Sequence, residues 1–194
     1  MSVTSDRCYD ADNHLREARD SFAKYMDPKY RELGWRLGRG PDGEERLFVN
    51  GQPLDDSRFV ETPIAGTLRD NFRRLRRGES LDPFVNETEP LKPEYQDRDA
   101  RLALMDRQGL EAILLFGNLP VSNEWIPEND PPQLYANLRA MNRYLEQEWG
   151  WSYKDRIYTV AAMSLVDLEL AIEELDCLRA QGVRFVNLIP GPQG

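Results

Sequence analysis

The alternation of apolar and polar positions is most regular in the second half of the chain. Continuous apolar runs at residues 111–116, 156–162 and 183–189 have the composition of parallel strands that are covered on both faces. Segments with helical spacing of apolar residues precede or separate these runs, at 97–108, 132–149 and 168–181. A repeated order of helix and buried strand predicts β/α units that share a parallel sheet.

The ends of these helices carry stop and start signals. Gly109 and Gly182 follow the last periodic residues of two helices, and Asp167 is placed as the N-cap of the last one. The spacing in this last helix predicts one buried apolar face. Its members are Leu168, Ala171, Ile172, Leu175 and Leu178.

The N-terminal part begins with a short strand-like run at residues 7–12. Residues 14–26 have helical spacing, and Asp27-Pro28 would end that helix because proline lacks an N–H group and restrains the residue before it. The sequence therefore predicts a strand that leads directly into a helix, with a polar cluster at the junction.

Two segments interrupt the repeating pattern. Residues 34–54 contain short strand-like pieces around Pro41-Asp42-Gly43 and end near Asn50-Gly51, which are turn sequences, so they predict a small inserted antiparallel hairpin. Residues 67–95 predict an arginine-rich helix and a loop that pass over one face of the domain. The arginines between 69 and 77 fit either a carboxylate- or phosphate-binding surface or a solvated helix face.

The four strand candidates together predict an α/β fold in one domain, residues 1–194. Repeated crossovers of one hand either curl a parallel sheet into a barrel or leave it open. No glycine-rich phosphate loop follows the first strand, as a dinucleotide-binding open sheet requires, so the pattern favours the barrel.

Composition narrows the functional class. The formal net charge of -9 argues against nucleic acid as a partner, because such proteins bind phosphates with Lys and Arg. No apolar run has the length of a membrane span or a signal sequence, and the two cysteines, Cys8 and Cys177, form no disulfide or zinc pattern. We therefore expect a cytoplasmic protein that acts on a small molecule.

The candidate chemistry lies in the N-terminal polar cluster. Asp10, Asp12 and His14 are spaced at intervals of two, so on an extended strand their side chains would share one face. In barrels, functional residues collect where strands end, and a mixed nitrogen and oxygen set suits Zn²⁺, Mn²⁺ or Fe²⁺. The alternative is structural: Asp12 or Asn13 caps the following helix, Glu17 lies in its first turn and His14 is a surface residue.

Several segments resemble the amidohydrolase superfamily, in the branch related to aminocarboxymuconate-semialdehyde decarboxylase. They are Tyr9-Asp10-Ala11-Asp12-Asn13-His14 with Glu17, and residues 101–109, 142–145 and 155–157. The resemblance implies the N-terminal portion, about four β/α units, of a TIM-type (β/α)8 barrel. It also implies that Asp12 and His14 are ligands of a divalent metal, with Zn as the first choice and Mn or Fe as alternatives, and that Asp12 stands where histidine is usual.

The same resemblance assigns the neighbouring residues. Asp10 and Glu17 are implied to support the metal site, with Glu17 as an alternative ligand or substrate contact. Trp125, in the loop after the strand predicted at residues 111–116, is either a pocket residue or a packing residue. In the family, the remaining histidine ligands and the aspartate that handles the proton come from later strands, so catalytic residues are expected downstream of Gly194.

These observations lead to three functional hypotheses. The first is a metal-dependent hydrolase or non-oxidative decarboxylase of a small organic substrate, of which this chain holds an incomplete active site because His14 is its one histidine. The second is a non-catalytic fragment whose open strand edges favour a homo-oligomer. The third is a small-molecule binding module without metal, which predicts that Asp12 and His14 do not converge.

Overall fold

Four parallel strands form the central sheet of the protein in the computed structural model. The structure describes residues 7–18, 20–43, 45–49, 51–53, 61–63, 67–79, 88–118 and 130–188. The strands are β1 (Cys8–His14), β2 (Arg36–Arg39), β3 (Glu45–Val49), β4 (Gln52–Pro53), β5 (Glu61–Pro63), β6 (Thr88–Pro90), β7 (Leu110–Phe116), β8 (Ser152–Tyr153), β9 (Ile157–Ala162) and β10 (Val186–Asn187). The helices are α1 (Ser21–Tyr25), α2 (Thr67–Arg76), α3 (Arg98–Gln108), α4 (Pro131–Tyr144), which continues as a π-helical segment at Leu145–Trp149, and α5 (Leu168–Ala180).

The order of strands in the central sheet is β1-β7-β9-β10, with every neighbouring pair parallel, and β8 adds to β9 in antiparallel orientation. α3, α4 and α5 each lie between two consecutive strands of this parallel set, which is the arrangement that parallel pairing requires. The predicted α/β class and parallel sheet are therefore confirmed.

Side-chain caps define the helix ends that the sequence predicts. The carboxylate of Asp97 accepts from the Ala100 amide at 2.7 Å, and that of Asp167 accepts from the Leu170 amide at 3.0 Å. Gly109 ends α3 in the left-handed region, with φ of 70°, where a side chain would be strained. β7 therefore begins directly after this glycine.

The helices cover one face of the sheet. Ile113 and Leu115 of β7 and Ile157 of β9 are buried in one cluster with residues of α4 such as Leu138 and Met141. The register aligns Leu114 and Phe116 with Tyr158 and Val160 on the opposite face. In a barrel that opposite face points inward. His14, which pairs with Phe116, lies on this face.

The predicted helix over residues 14–26 is wrong in its first half. β1 continues to His14, the Leu15 amide donates to the Phe116 carbonyl at 3.0 Å, and the Arg16 amide donates to the Tyr95 carbonyl at 2.9 Å. Because these amides are paired outside their own segment, the helix begins only at Ser21. Asp12 and Asn13 consequently do not cap a helix.

The predicted buried face of α5 is also wrong in part. Leu168, Ile172 and Leu175 are 66%, 61% and 42% exposed, whereas Ala171, Glu174 and Leu178 are buried. The Glu174 carboxylate accepts from Arg139 Nε at 2.7 Å and from Asn142 Nδ2 at 3.0 Å, both on α4. These bonds hold Glu174 against α4, whereas Leu168, Ile172 and Leu175 lie on the exposed side of α5.

The inserted segments form separate small sheets. β2, β3 and β4 form a three-stranded antiparallel sheet, and β5 pairs with β6. The Trp35 amide, just before β2, donates to Asn137 Oδ1 on α4 at 2.8 Å, which connects this insertion to the main domain. Among the described residues, no helix has both the length and the apolar character to cross a membrane.

Candidate metal site at the end of the first strand

Asp12 and His14 come together at the carboxyl end of β1. Oδ1 of Asp12 lies 3.3 Å from Nε2 of His14. The Asp12 side chain is 91% exposed and that of His14 is 37% exposed. The pair is therefore open to a ligand on the face of the sheet that the helices leave uncovered.

A bulge in β1 produces this arrangement. Asp10 pairs with Ile113 and Asn13 pairs with Leu115, so three steps along β1 match two along β7. One extra residue reverses the alternation of side chains. The expectation that Asp10 shares a face with Asp12 and His14 is therefore wrong: Asp10 Oδ2 accepts from Asn13 Nδ2 at 2.7 Å on the helix-covered side.

The two nitrogens of the His14 imidazole have different surroundings. Its ring lies 5.7 Å from the Phe116 ring, centroid to centroid, with an interplanar angle of 31°. Nδ1 is buried and has no hydrogen-bond partner within the part of the chain that the structure describes. Nε2, which faces Asp12, is thus the nitrogen available to a metal.

Arg101 opens one of the segments that resemble the family, but the sequence predicts no role for it at this site. Its guanidinium donates from Nε to the Glu94 carbonyl at 2.6 Å, from Nη1 to Asn13 Oδ1 at 2.6 Å and from Nη2 to the His14 carbonyl at 2.9 Å. The side chain is 4% exposed, and burial lowers the pKa of Arg101. The available signal was a charged residue among the core-facing positions of α3, next to Leu102 and one turn before Met105.

Glu17 is buried, unlike Asp12 and His14. It is 2% exposed, its backbone carbonyl accepts from Gln96 Nε2 at 3.1 Å, and its charge contributes to the raised pKa of Tyr144 on α4. The carboxylate is therefore close to the helix layer. A supporting role for Glu17 stays a prediction, as does that of Asp10, and Trp125 falls outside the described residues.

The donor set fits part of a divalent metal site. One imidazole nitrogen and one carboxylate oxygen are suitable ligands for Zn²⁺, Mn²⁺ and Fe²⁺. Within the ranges that the structure describes, no group of three or more His, Cys, Asp or Glu side chains is placed to hold a metal ion. Because catalytic zinc takes three protein ligands, Asp12 and His14 can supply two of them and leave at least one to be found elsewhere.

Comparison with solved structures relates the fold of this chain to that of an amidohydrolase. The chain is similar to a crystal structure of an amidohydrolase from Mycobacterium avium subsp. paratuberculosis K-10, with a TM-score of 0.83 and 29% sequence identity. The match covers 96% of this chain and 50% of that chain, so the chain spans half the length of that amidohydrolase. No protein-family model and no curated protein matches the sequence.

This similarity and the parallel sheet define the fold as an α/β domain that corresponds to part of a TIM-type barrel, as the sequence predicts. The same similarity supports a relation to the amidohydrolase superfamily. The more specific branch that the sequence resembles stays a prediction.

Proposed function

We propose that this chain contributes the first part of the metal site of an amidohydrolase-type enzyme that acts on a small organic substrate. The observation that carries the proposal is the 3.3 Å approach of Asp12 and His14 at the carboxyl end of β1. In barrel enzymes the functional groups collect at that end of the strands. The reaction is a hydrolysis or, following the branch that the sequence resembles, a non-oxidative decarboxylation.

Asp12 and His14 would hold the cation, which is zinc in the first instance and manganese or iron as alternatives. When bound, such a cation supplies Lewis-acid chemistry, by lowering the pKa of water or by polarising a carbonyl or carboxyl group. The chain's own contribution is to hold a carboxylate oxygen and an imidazole nitrogen on one open face. The proton-handling group and further ligands are proposed to come from outside the pair.

The alternative of a binding module without metal makes a different structural prediction. It requires that Asp12 and His14 do not converge, whereas their side chains lie 3.3 Å apart. The geometry therefore favours the metal site. The proposal also requires the pair to bind a cation weakly by itself, since two ligands give less affinity than a complete site.

A calorimetric zinc titration of the purified chain tests the proposal. The Asp12→Asn and His14→Gln variants remove one ligand each, and Glu111→Gln is the matched control, because Glu111 is an exposed carboxylate at the opposite end of β7. We expect zinc binding by the unmodified chain and by Glu111→Gln, and a loss of at least about tenfold in affinity in each ligand variant. Equal affinity in all four proteins would contradict the proposal.

A further inference from the structure

We propose that Arg101 is a positioning residue for the Asp12 and His14 pair, an inference that rests on the proposed metal site. Its guanidinium joins three separate pieces of backbone and side chain: the Glu94 carbonyl, Asn13 Oδ1 and the His14 carbonyl. Two of these three acceptors belong to the last two residues of β1. The bonds therefore act directly on the strand end that carries the pair.

The bonds to Asn13 determine which side the neighbouring residues face. Arg101 lies on α3, so it holds the Asn13 side chain on the helix-covered side of the sheet. Adjacent residues in a strand point to opposite faces. Asp12 and His14, on either side of Asn13, are thereby directed to the open face, where their side chains meet.

The Asp10 carboxylate completes the support of the bulge. It accepts from Asn13 Nδ2 at 2.7 Å and from the Asp12 amide at 3.0 Å. Its negative charge also favours the charged form of Arg101, against the burial that lowers the pKa of Arg101. Asp10, Asn13 and Arg101 thus form one network, in which the three donor groups of Arg101 provide the connection to the rest of the domain.

Lysine is a poor substitute for Arg101. A guanidinium presents its N–H groups as a rigid planar fork, which suits acceptors that lie in different directions, whereas an ammonium is a compact charge on a flexible stem. Arg101 also lies with its guanidinium carbon 5.4 Å from the centroid of the Tyr95 ring. We therefore expect Arg101→Lys to retain the charge but to lose part of the geometric control.

Arg156 provides a matched control for the general effect of removing such a residue. It donates to the Glu111 and Leu110 carbonyls at 3.0 and 2.7 Å and to Asp106 Oδ1 at 2.6 Å. It therefore connects strand backbone to a helix, as Arg101 does, but at the amino end of β7. Its removal should reduce stability without changing the strand end that carries His14.

The test measures His14 directly. Because His14 is the one histidine of the chain, its ring signals in a proton–nitrogen NMR spectrum need no assignment by mutation. Spectra of the zinc-free protein and zinc affinities are compared for the unmodified chain, Arg101→Met, Arg101→Lys and Arg156→Met. Circular dichroism and urea denaturation establish that each variant is folded.

We expect Arg101→Met to shift or broaden the His14 ring signals without zinc and to weaken zinc binding by about tenfold or more, with Arg101→Lys between it and the unmodified chain. Arg156→Met should change neither. The inference is overturned if folded Arg101→Met keeps both the His14 signals and the zinc affinity, or if Arg156→Met changes them equally.

Two further outcomes are informative. If Arg101→Met does not fold, Asn13→Ala removes one acceptor of Arg101 and leaves the His14 carbonyl bond; unchanged His14 signals in that folded variant would overturn the inference. If the unmodified chain binds no zinc, the proposed metal site fails. The positioning role is then decided by the zinc-free His14 signals alone, so the two failures are distinguishable.

Discussion

Asn142 of α4 forms two hydrogen bonds with the backbone of Ala162, the last residue of β9. Its Nδ2 donates to the Ala162 carbonyl at 3.0 Å, and its Oδ1 accepts from the Ala162 amide at 2.9 Å. The same Nδ2 also donates to Glu174 at 3.0 Å. A buried side chain thus connects the carboxyl end of a central strand to both helices that flank it.

Asn142→Ala should therefore lower the free energy of unfolding by about 2–4 kcal/mol, because it leaves buried backbone and carboxylate groups without their partners. Asn142→Asp keeps the acceptor for the Ala162 amide but loses the donor and adds a carboxylate beside Glu174, so we expect it to be at least as destabilising. Urea denaturation measures both effects. A cost below about 0.5 kcal/mol for Asn142→Ala would show that this connection contributes little.

Tyr144 should make the free energy of unfolding depend on pH in the alkaline range. The pKa of Tyr144 is raised to about 12, mainly by burial; the charge of Glu17 acts in the same direction, and Trp149 Nε1, which donates to the Tyr144 hydroxyl, acts against it. From about pH 10, the ordinary value for tyrosine, the unfolded chain releases this proton while the folded protein retains it. The stabilisation that comes from the raised pKa of Tyr144 is therefore complete below about pH 10 and is lost as the pH rises towards about 12.

Above about pH 10, the unfolding free energy of the unmodified chain should fall more steeply with pH than that of Tyr144→Phe. The difference between the two slopes should be about 1 kcal/mol for each pH unit. Urea denaturation at a series of pH values measures the difference. Tyr9→Phe is the control, because the Tyr9 side chain belongs to a residue that is 59% exposed. Identical pH dependence of Tyr144→Phe and the unmodified chain would contradict the assignment.

Two alanine substitutions in α5 test which face of this helix is buried. Leu178 is 2% exposed and Ile172 is 61% exposed, although both belong to the apolar face that the sequence predicts. Leu178→Ala should cost about 2–4 kcal/mol of unfolding free energy, and Ile172→Ala less than about 0.5 kcal/mol. Thermal or urea denaturation of the two variants decides the point. A larger cost for Ile172→Ala would mean that the helix packs on the face predicted from the sequence.

The sequence predicts the elements whose signals are local. α3, β7 and β9 were expected within one or two residues of their observed ends, because capping aspartates, a left-handed glycine and continuous apolar runs act within the segment itself. The face of α5 was not predictable in this way. It depends on Glu174 and its partners on α4, which are 32 and 35 residues away in sequence.

The candidate site also combines features that depend on local sequence with features that depend on distant contacts. The spacing of Asp12 and His14 predicts a shared face, and their side chains do lie together. The spacing of Asp10 and Asp12 predicts the same, but the bulge in β1 separates them, because pairing with β7 determines where the extra residue falls. Arg101, 87 residues from His14, was missed because its role exists only after α3 packs beside β1.

The central claim is that His14 and Asp12 bind a divalent metal, and the imidazole itself provides the most direct measurement. A proton–nitrogen NMR titration of the one histidine with zinc follows both ring nitrogens separately. We predict a saturable shift in which Nε2 becomes the ligated nitrogen and Nδ1 carries the proton, and loss of this shift in Asp12→Asn. Ring signals that zinc leaves unchanged, or a shift that Asp12→Asn leaves intact, would contradict the account.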